Sequence, residues 1–177
     1  MNGKLWCGLG LALWLCGCAT TPEVLTLRDN ATGETAELIT DNLLPSPQPG
    51  DANVWLNATR LAQLSGDAQY YLEVHYESPA VWLNIDFGRT LTVIADGQEM
   101  VFSGLGSDGM RDVGKNEQVM ETAIYHCTTT DLRRIAYAKS VKIQVKGAAL
   151  TIEREFGPDN IAQFRQFVAK SVDRAKI

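Results

Sequence analysis

The sequence predicts an α+β fold in which a mainly antiparallel sheet of about seven strands is built from hairpins. Several short runs alternate apolar with polar residues, as strands with one buried face do. Turn-forming residues separate these runs, and one of them, Asp96-Gly97, is a favoured two-residue hairpin turn. Two other segments carry apolar residues at helical spacing. They predict a short helix near residues 130–138 and a C-terminal amphipathic helix packed on the sheet.

The N-terminal part of the domain predicts two strands, a loop and an ambiguous segment. Residues 23–28 and 34–40 alternate on either side of a turn-rich stretch, so we expect a first pair of strands. Three prolines fall in residues 41–50 and remove N–H groups that a helix or ladder needs, which predicts a loop. Residues 53–64 fit either a strand or a short helical turn.

The longest alternation covers residues 70–87 and predicts a hairpin whose short loop is centred on Ser78-Pro79. Matching the apolar faces of its two arms sets the register, because a one-residue slip would place apolar side chains opposite polar ones. In this register, His75 faces Trp82 on the second face of the hairpin.

Two further hairpins are predicted in residues 90–103 and 140–156. The Asp-Gly turn fixes the register of the first. In the second, matching of apolar residues would place Val145 opposite Leu150. Each hairpin would contribute two antiparallel strands to the sheet.

Residues 119–127 predict a single strand, and the residues after it a short helix. Thr129 or Thr130 can cap this helix, and Asp131 lies favourably near its positive end. Gly157-Pro158 ends the last strand and begins the C-terminal helix. The apolar stripe of that helix consists of Ile161, Phe164, Phe167, Val168 and Val172.

The first residues have the features of an export signal. Lys4 precedes an almost wholly apolar run over residues 5–15. As a helix, this run would be roughly 16 Å long, which is too short for a ~30 Å hydrocarbon core. It therefore indicates a secretory signal peptide and not a membrane span.

The sequence Leu15-Cys16-Gly17-Cys18 resembles the lipobox of bacterial lipoproteins. In that family a leucine-like residue stands three positions before an obligatory cysteine, and a small residue stands just before it. The resemblance implies cleavage before Cys18, a diacylglycerol on its thiol and an acyl chain on its amine. Since the next residue is Ala19 and not Asp, the family's enteric-type sorting rule implies the outer membrane, with the domain facing the periplasm.

The chain then divides into a signal peptide at 1–17, a lipidated tether at 18–22 and a single α+β domain at 23–177. Removing the signal takes away one Lys and no acid, so the formal charge of −5 becomes −6. No long basic stretch remains, which argues against nucleic acid as a partner. Attachment to the membrane would rest on the lipid of Cys18.

Cys127 is the only cysteine after the tether, so we expect no intramolecular disulfide. The simplest interpretation is a buried, small hydrophobic residue. The adjacent His126 would point to the opposite face of a strand and could not easily serve this thiol as a base.

Tyr71, His75 and Trp82 form the candidate partner-binding surface. If the C-terminal helix covers the opposite face of the sheet, these side chains are partly exposed, and exposed aromatic clusters favour partner contact. The short helix or the proline loop could instead cover them.

Glu73 and Glu77 flank His75 on the same face of the strand. Neighbours of this kind lie about 6.5 Å apart, which is too far for them to share a metal with ~2 Å bonds unless other strands supply ligands. We therefore assign no metal ligands.

A glycine-rich loop over residues 104–118 is the second candidate. Its spacing matches neither a phosphate-binding loop nor a calcium loop. We interpret it as a mobile surface loop that could bind a partner or gate a site. The candidate residues in it are Gly104, Gly106, Asp108 and Gly109.

These observations favour a membrane-anchored, non-catalytic envelope lipoprotein that binds or scaffolds another envelope protein. No catalytic residue and no cofactor are assigned. One alternative is an envelope hydrolase or metal-dependent enzyme that uses His75 and Glu73, which would need a bound metal or a pocket there. Another is a small-molecule or lipid carrier, which would need an apolar cavity between sheet and helix.

Overall fold

The computed structural model describes residues 24–79, 81–114, 116–148 and 150–174. The expected signal peptide, the tether and Cys18 lie outside the described residues. The described chain is a mainly antiparallel sheet with two helices, so the α+β class predicted from the sequence is confirmed.

The described residues form ten strands, more than the seven or so expected. Residues 53–64 supply one of them, and a further short strand forms inside the predicted glycine-rich loop. The strands are β1 (Leu25–Arg28), β2 (Thr35–Ile39), β3 (Asn53–Ala62), β4 (Ala68–Ser78), β5 (Gly88–Ala95), β6 (Gln98–Gly104), β7 (Arg111–Val113), β8 (Val119–Cys127), β9 (Val141–Lys146) and β10 (Thr151–Glu155).

The sheet order is β1-β2-β3-β4-β8-β6-β5-β9-β10, and β7 also pairs with β8. The described pairing between β6 and β8 is a single residue pair, Gly104 with Tyr125. A side chain is excluded at this glycine, because a Cβ there would lie 2.6 Å from the carbonyl oxygen of Ile124. The sheet therefore consists of two well-paired halves that meet at one close backbone approach.

Two helices follow β8 and β10. The first, α1 (Thr129–Tyr137), begins with a capping box between Thr128 and Asp131, so its cap lies one or two residues before the predicted one. The second, α2 (Pro158–Phe167), has Pro158 in its first turn as predicted and continues as a π-helical turn over Val168–Val172. The helices pack on each other and also contact β2 and β5.

One face of the central strands β3, β4 and β8 belongs to the hydrophobic core, and we call it the inner face. Its apolar side chains share one cluster with those of both helices. Fully buried members include Leu56, Leu72, Val74, Ala123, Tyr125, Leu132, Ile135, Phe164 and Phe167. The opposite face of these three strands is the outer face.

The predicted hairpin over residues 70–87 is wrong. β4 pairs with β3 and β8, and residues 81–87 form no strand. Leu83 and Ile85 are nevertheless buried, so their alternation with polar residues reflects burial without ladder pairing. This segment instead crosses from β4 to β5, and the carboxylate of Glu121 accepts hydrogen bonds from its backbone.

The other two hairpins are present. The pairing of Val93 with Met100 in β5 and β6 confirms the first register. In β9 and β10, Val145 pairs with Ile152 and not with Leu150, a shift of two residues. A two-residue shift keeps every side chain on its own face of the sheet. The alternation of apolar and polar residues is therefore the same in both registers and does not distinguish them.

Candidate functional site

The outer face of β3, β4 and β8 is made of cross-strand rows that the register defines. His75 lies between Trp55 and Thr122, and Tyr71 lies between Thr59 and His126. Paired residues place their side chains on the same side of a sheet, so these rows share one surface. Most of its side chains are only half-buried, whereas the apolar side chains of the inner face are buried in the core.

One end of the outer face is an apolar cavity of about 580 Å³. Its rim carries Phe87 and Leu105, whose side chains are 79% and 80% exposed. On its floor, the rings of Tyr71 and His126 lie 4.5 Å apart. Other residues that line it include Thr59, Leu61, Glu73 and Ile124. A large aromatic and a large aliphatic side chain therefore stand in water beside an apolar floor, next to the paired Gly88 and Gly104.

The other end is a cavity of about 400 Å³ with an acidic rim. Four carboxylates line it: that of the buried Glu121, and those of Asp41, Glu77 and Asp112, which are exposed or half-buried. Apolar side chains that include Trp55 and Met110 also line it. Among the residues that the structure describes, no Lys or Arg lines either cavity. Glu121 pairs with Arg111, whose Nε lies 3.8 Å from its Oε2, whereas Asp41, Glu77 and Asp112 form no ion pair with a described cation.

The two cavities are adjacent along the same strands. His75 belongs to the acidic cavity and Glu73 to the apolar one, and their side chains lie 3.3 Å apart, from Nε2 to Oε2. From Tyr71 to Glu77, six residue steps of β4 span about 20 Å. We call the combined surface the trough, with an apolar end at Tyr71 and an acidic end at Glu77.

Buried amides hold the acidic rim in place. Asn42 follows Asp41 and is fully buried, and its Nδ2 donates to the carbonyl oxygen of Leu56 at 2.7 Å. The Nδ2 of Asn160, at the start of α2, donates to the Oδ1 of Asn42 at 2.8 Å. The loop that carries Asp41 is therefore fixed to both β3 and α2.

A buried carboxylate fixes the opposite rim. Glu121 is 1% exposed, and its Oε1 accepts from the backbone N–H groups of Leu83 and Asn84 at 2.5 and 2.9 Å. Its Oε2 accepts from the N–H of Ile85 at 3.1 Å and from the hydroxyl of Ser107 at 2.6 Å. These bonds hold the crossing segment and the glycine-rich loop on β8, which satisfies the buried charge and gives Glu121 a structural role.

The predicted aromatic patch is only partly assembled. Tyr71 and His75 both lie in the trough, and the Nδ1 of His75 is 2.9 Å from the Oγ1 of Thr122. Trp82 is half-buried, packs against the core and lines neither cavity of the trough. It is misplaced because the prediction put it in a strand opposite His75, where the structure has Trp55 and Thr122.

The glycine-rich loop contains β7 and is fastened to the domain through Ser107, whose hydroxyl donates to Glu121. Gly106 has φ +77°, and a Cβ there would lie 2.7 Å from the carbonyl oxygen of Ile85. Asp108 is exposed and pairs with Arg111 at 3.0 Å, while Gly109 has φ +78° and open space around it. The loop contributes to the site through Leu105, Met110 and Asp112. Of its predicted residues, Gly104 lines the apolar cavity, whereas Gly106, Asp108 and Gly109 line neither cavity of the trough.

The trough combines exposed apolar side chains with carboxylates. Within the described chain, no group of three His, Cys, Asp or Glu side chains is arranged to hold a metal ion. Cys127 packs against the core on the inner face, whereas His126 lies on the outer face beside Tyr71. Burial, with a smaller contribution from Asp131, raises the pKa of the Cys127 thiol to about 12, so it is not a ready nucleophile.

Sequence reasoning missed Phe87, Leu105 and Asp41, and it weighed Glu77 and Asp112 only as metal ligands. The available signal for Leu105 and Met110 was that each apolar residue stands beside a glycine in a predicted loop. No local pattern in the sequence indicated that distant loops meet over one face of the sheet.

The chain matches no protein-family model and no curated protein. None of the described helices combines the length and apolar character needed to span a membrane.

Proposed function

We propose that this protein is a non-catalytic lipoprotein of the cell envelope, anchored in the outer membrane through Cys18, that binds another envelope protein with the trough. The observation that carries the proposal is the exposure of Phe87 and Leu105 over an apolar floor. Contiguous apolar surface that a folded domain leaves uncovered is typical of an interaction site.

The apolar surface also extends toward the N-terminal end of the described chain. Leu25 and Leu27 on β1 are 43% and 51% exposed. The register places Leu25 opposite Leu38 and Leu38 opposite Thr59, so these side chains lie on the same face as Tyr71. The partner surface would therefore run from the trough to the edge strand.

The tether limits where such a partner can be. Six residue steps separate Cys18 from Val24, the first described residue, and a fully extended chain of that length reaches roughly 20 Å. If Cys18 carries lipid, the domain stays close to the membrane. A partner that reaches the trough would then be a membrane protein or a protein held near the membrane.

A small-molecule or lipid carrier is the second candidate function. The apolar cavity of about 580 Å³ supports it, because this volume lies in the range of sites for small ligands. The cavity lies on the outer face and not between sheet and helix, where a carrier pocket was expected. The exposed rim residues favour the protein-binding function over this one.

Photo-crosslinking in intact cells tests the proposed function. A photoreactive amino acid at Leu105 should give one discrete protein adduct, and the same substitution at Leu64 should not. Leu64 is a matched control because its side chain is 79% exposed but lies outside the trough. A lipid adduct at Leu105 would favour the carrier, and the absence of any adduct specific to Leu105 would contradict a partner at this face.

A further inference from the structure

We propose that the trough binds a basic amphipathic segment of the partner protein, with apolar side chains at the Tyr71 end and Lys or Arg at the Glu77 end. This inference rests on the proposed function and names the chemistry of the partner. It is carried by the charge distribution along the trough, which changes from apolar to acidic over about 20 Å.

The acidic end has three carboxylates that no described cation pairs with, beside Glu121, which pairs with Arg111. Asp41, Glu77 and Asp112 line one cavity, and no described Lys or Arg lines it with them. Like charges in one concave site repel each other, and a concave, partly dehydrated wall strengthens their field. A cation supplied by a partner would relieve this repulsion.

Several acids elsewhere in the described chain do have cationic partners. These pairs are Glu37 with Arg60, Asp108 with Arg111, Glu155 with Lys142 and Asp173 with Arg133. Asp108 and Asp112 are four residues apart on the same loop, yet only the one outside the trough is paired with Arg111. Other described acids, such as Glu34 and Glu99, also form no ion pair, but Asp41, Glu77 and Asp112 share one cavity with apolar side chains.

The apolar end supplies the complementary half of the site. Phe87 and Leu105 rise above a floor that contains Leu61 and Ile124, which suits two or three aliphatic side chains of a bound segment. A length of about 20 Å corresponds to roughly 13 residues of helix. Amphipathic helices bind apolar grooves in this way, with anchors on successive turns.

The same charge distribution disfavours the bilayer as the occupant. A bilayer surface that contains anionic lipid would be repelled by the acidic end, because surfaces that bind such lipids carry Lys and Arg. The favoured occupant is therefore a protein segment, and binding to lipid is an outcome that the test must detect.

The test uses the full lipidated chain in nanodiscs of neutral phosphatidylcholine. The probe is a fluorescent 14-residue amphipathic peptide of Leu and Lys, with a matched Leu and Glu peptide. We expect the Leu/Lys peptide to bind, and to bind about tenfold more weakly to the triple variant Asp41→Asn, Glu77→Gln, Asp112→Asn. Raising the salt concentration should remove most of this difference.

Matched controls separate the effect of the trough from general charge and from lipid binding. A triple variant of acids outside the trough, Glu34→Gln, Asp67→Asn and Glu99→Gln, should bind like the wild type. The nanodiscs contain the same lipid for every variant, so adsorption of the peptide to lipid does not contribute to the difference in affinity between variants. Urea unfolding of each variant confirms that it is folded.

Two results would overturn the inference. The first is equal affinity of the wild type and the Asp41/Glu77/Asp112 variant for the Leu/Lys peptide. The second uses the full chain with Cys18→Ser, which carries no lipid, and phosphatidylglycerol vesicles. If this chain sedimented with the vesicles and the added substitution Phe87→Ser abolished the sedimentation, the trough would bind membrane. A specific protein adduct at Leu105 alongside the first result would leave the proposed function standing, whereas loss of that adduct would remove both.

Discussion

The two faces of β3, β4 and β8 differ in composition and in burial. On the inner face, Leu72 and Val74 are completely buried in the core cluster that includes side chains of the helices. On the outer face of the same strand, Tyr71 and His75 are only half-buried and line the trough. The alternation of β4 is that of a strand with one solvated face, so the exposed apolar side chains of Phe87 and Leu105, which come from neighbouring segments, distinguish the trough from an ordinary solvated face.

The largest contrast between the faces should be in stability. Phe164→Ala removes a fully buried ring that lies 5.4 Å from the ring of Phe156, and we expect it to lower the free energy of unfolding by about 3–5 kcal/mol. Tyr71→Ala on the outer face should cost less than about 1.5 kcal/mol, because the ring is already half-exposed. Urea unfolding of both variants measures the contrast, and equal losses would mean that the outer face is part of the core.

A smaller effect is expected where the core meets the rim. Glu121→Gln keeps the size of the side chain but turns an amide NH₂ toward backbone N–H donors that need an acceptor. We expect a loss of roughly 2–4 kcal/mol of unfolding free energy. Glu99→Gln, at an exposed position of β6, is the control and should change little. If the two variants were equally stable, the carboxylate would not hold the crossing segment.

The inner face should also make the protein sensitive to alkali. Burial raises the pKa of Tyr76, Tyr125 and Cys127, so all three keep their protons in the folded state at a pH where the unfolded chain loses them. The unfolded state then binds fewer protons, and the free energy of unfolding falls as the pH rises above about 9. Urea midpoints at pH 8 and pH 10.5 should show this fall, and Tyr125→Phe should reduce it. A midpoint that stays constant or rises would contradict the burial of these groups.

The smallest effect on stability is expected at the rim of the trough. Phe87→Ser replaces a side chain that is 79% exposed, so the free energy of unfolding should change by less than about 0.5 kcal/mol. Leu64→Ser, at the same exposure, should behave alike in this assay. Of the two, Phe87→Ser alone should weaken crosslinking at Leu105. A marked loss of stability in Phe87→Ser would indicate that the ring is part of the folded core.

Patterns over a few neighbouring residues predicted the turns and helices that those same residues form. The Asp96-Gly97 turn forces the pairing of β5 with β6, and the spacing of Phe164 and Phe167 places both in the core. The predicted pairing of residues 81–87 failed because their backbone donors are satisfied by a side chain 36 to 38 residues away, that of Glu121. No local pattern encodes such a bond.

The candidate site was predicted only as far as one strand could show it. The alternation of β4 placed Tyr71 and His75 on one face, and the structure brings both into the trough. The remaining parts come from other strands and loops, and Asp41 is positioned through Asn42 and Asn160, which are 118 residues apart. The lipobox resemblance at Cys18 stays a prediction, since it lies outside the described residues.

Chemical accessibility of Leu105→Cys in living cells tests the central claim most directly. Cys127 gives little background because burial raises its pKa to about 12, and a lipidated Cys18 would not react. If a partner covers the trough, a small maleimide should label Leu105→Cys slowly in cells and rapidly in the purified protein, while Leu64→Cys should be labelled rapidly in both. Equal, rapid labelling of Leu105→Cys in cells and in purified form would contradict the claim that the outer face is a binding surface.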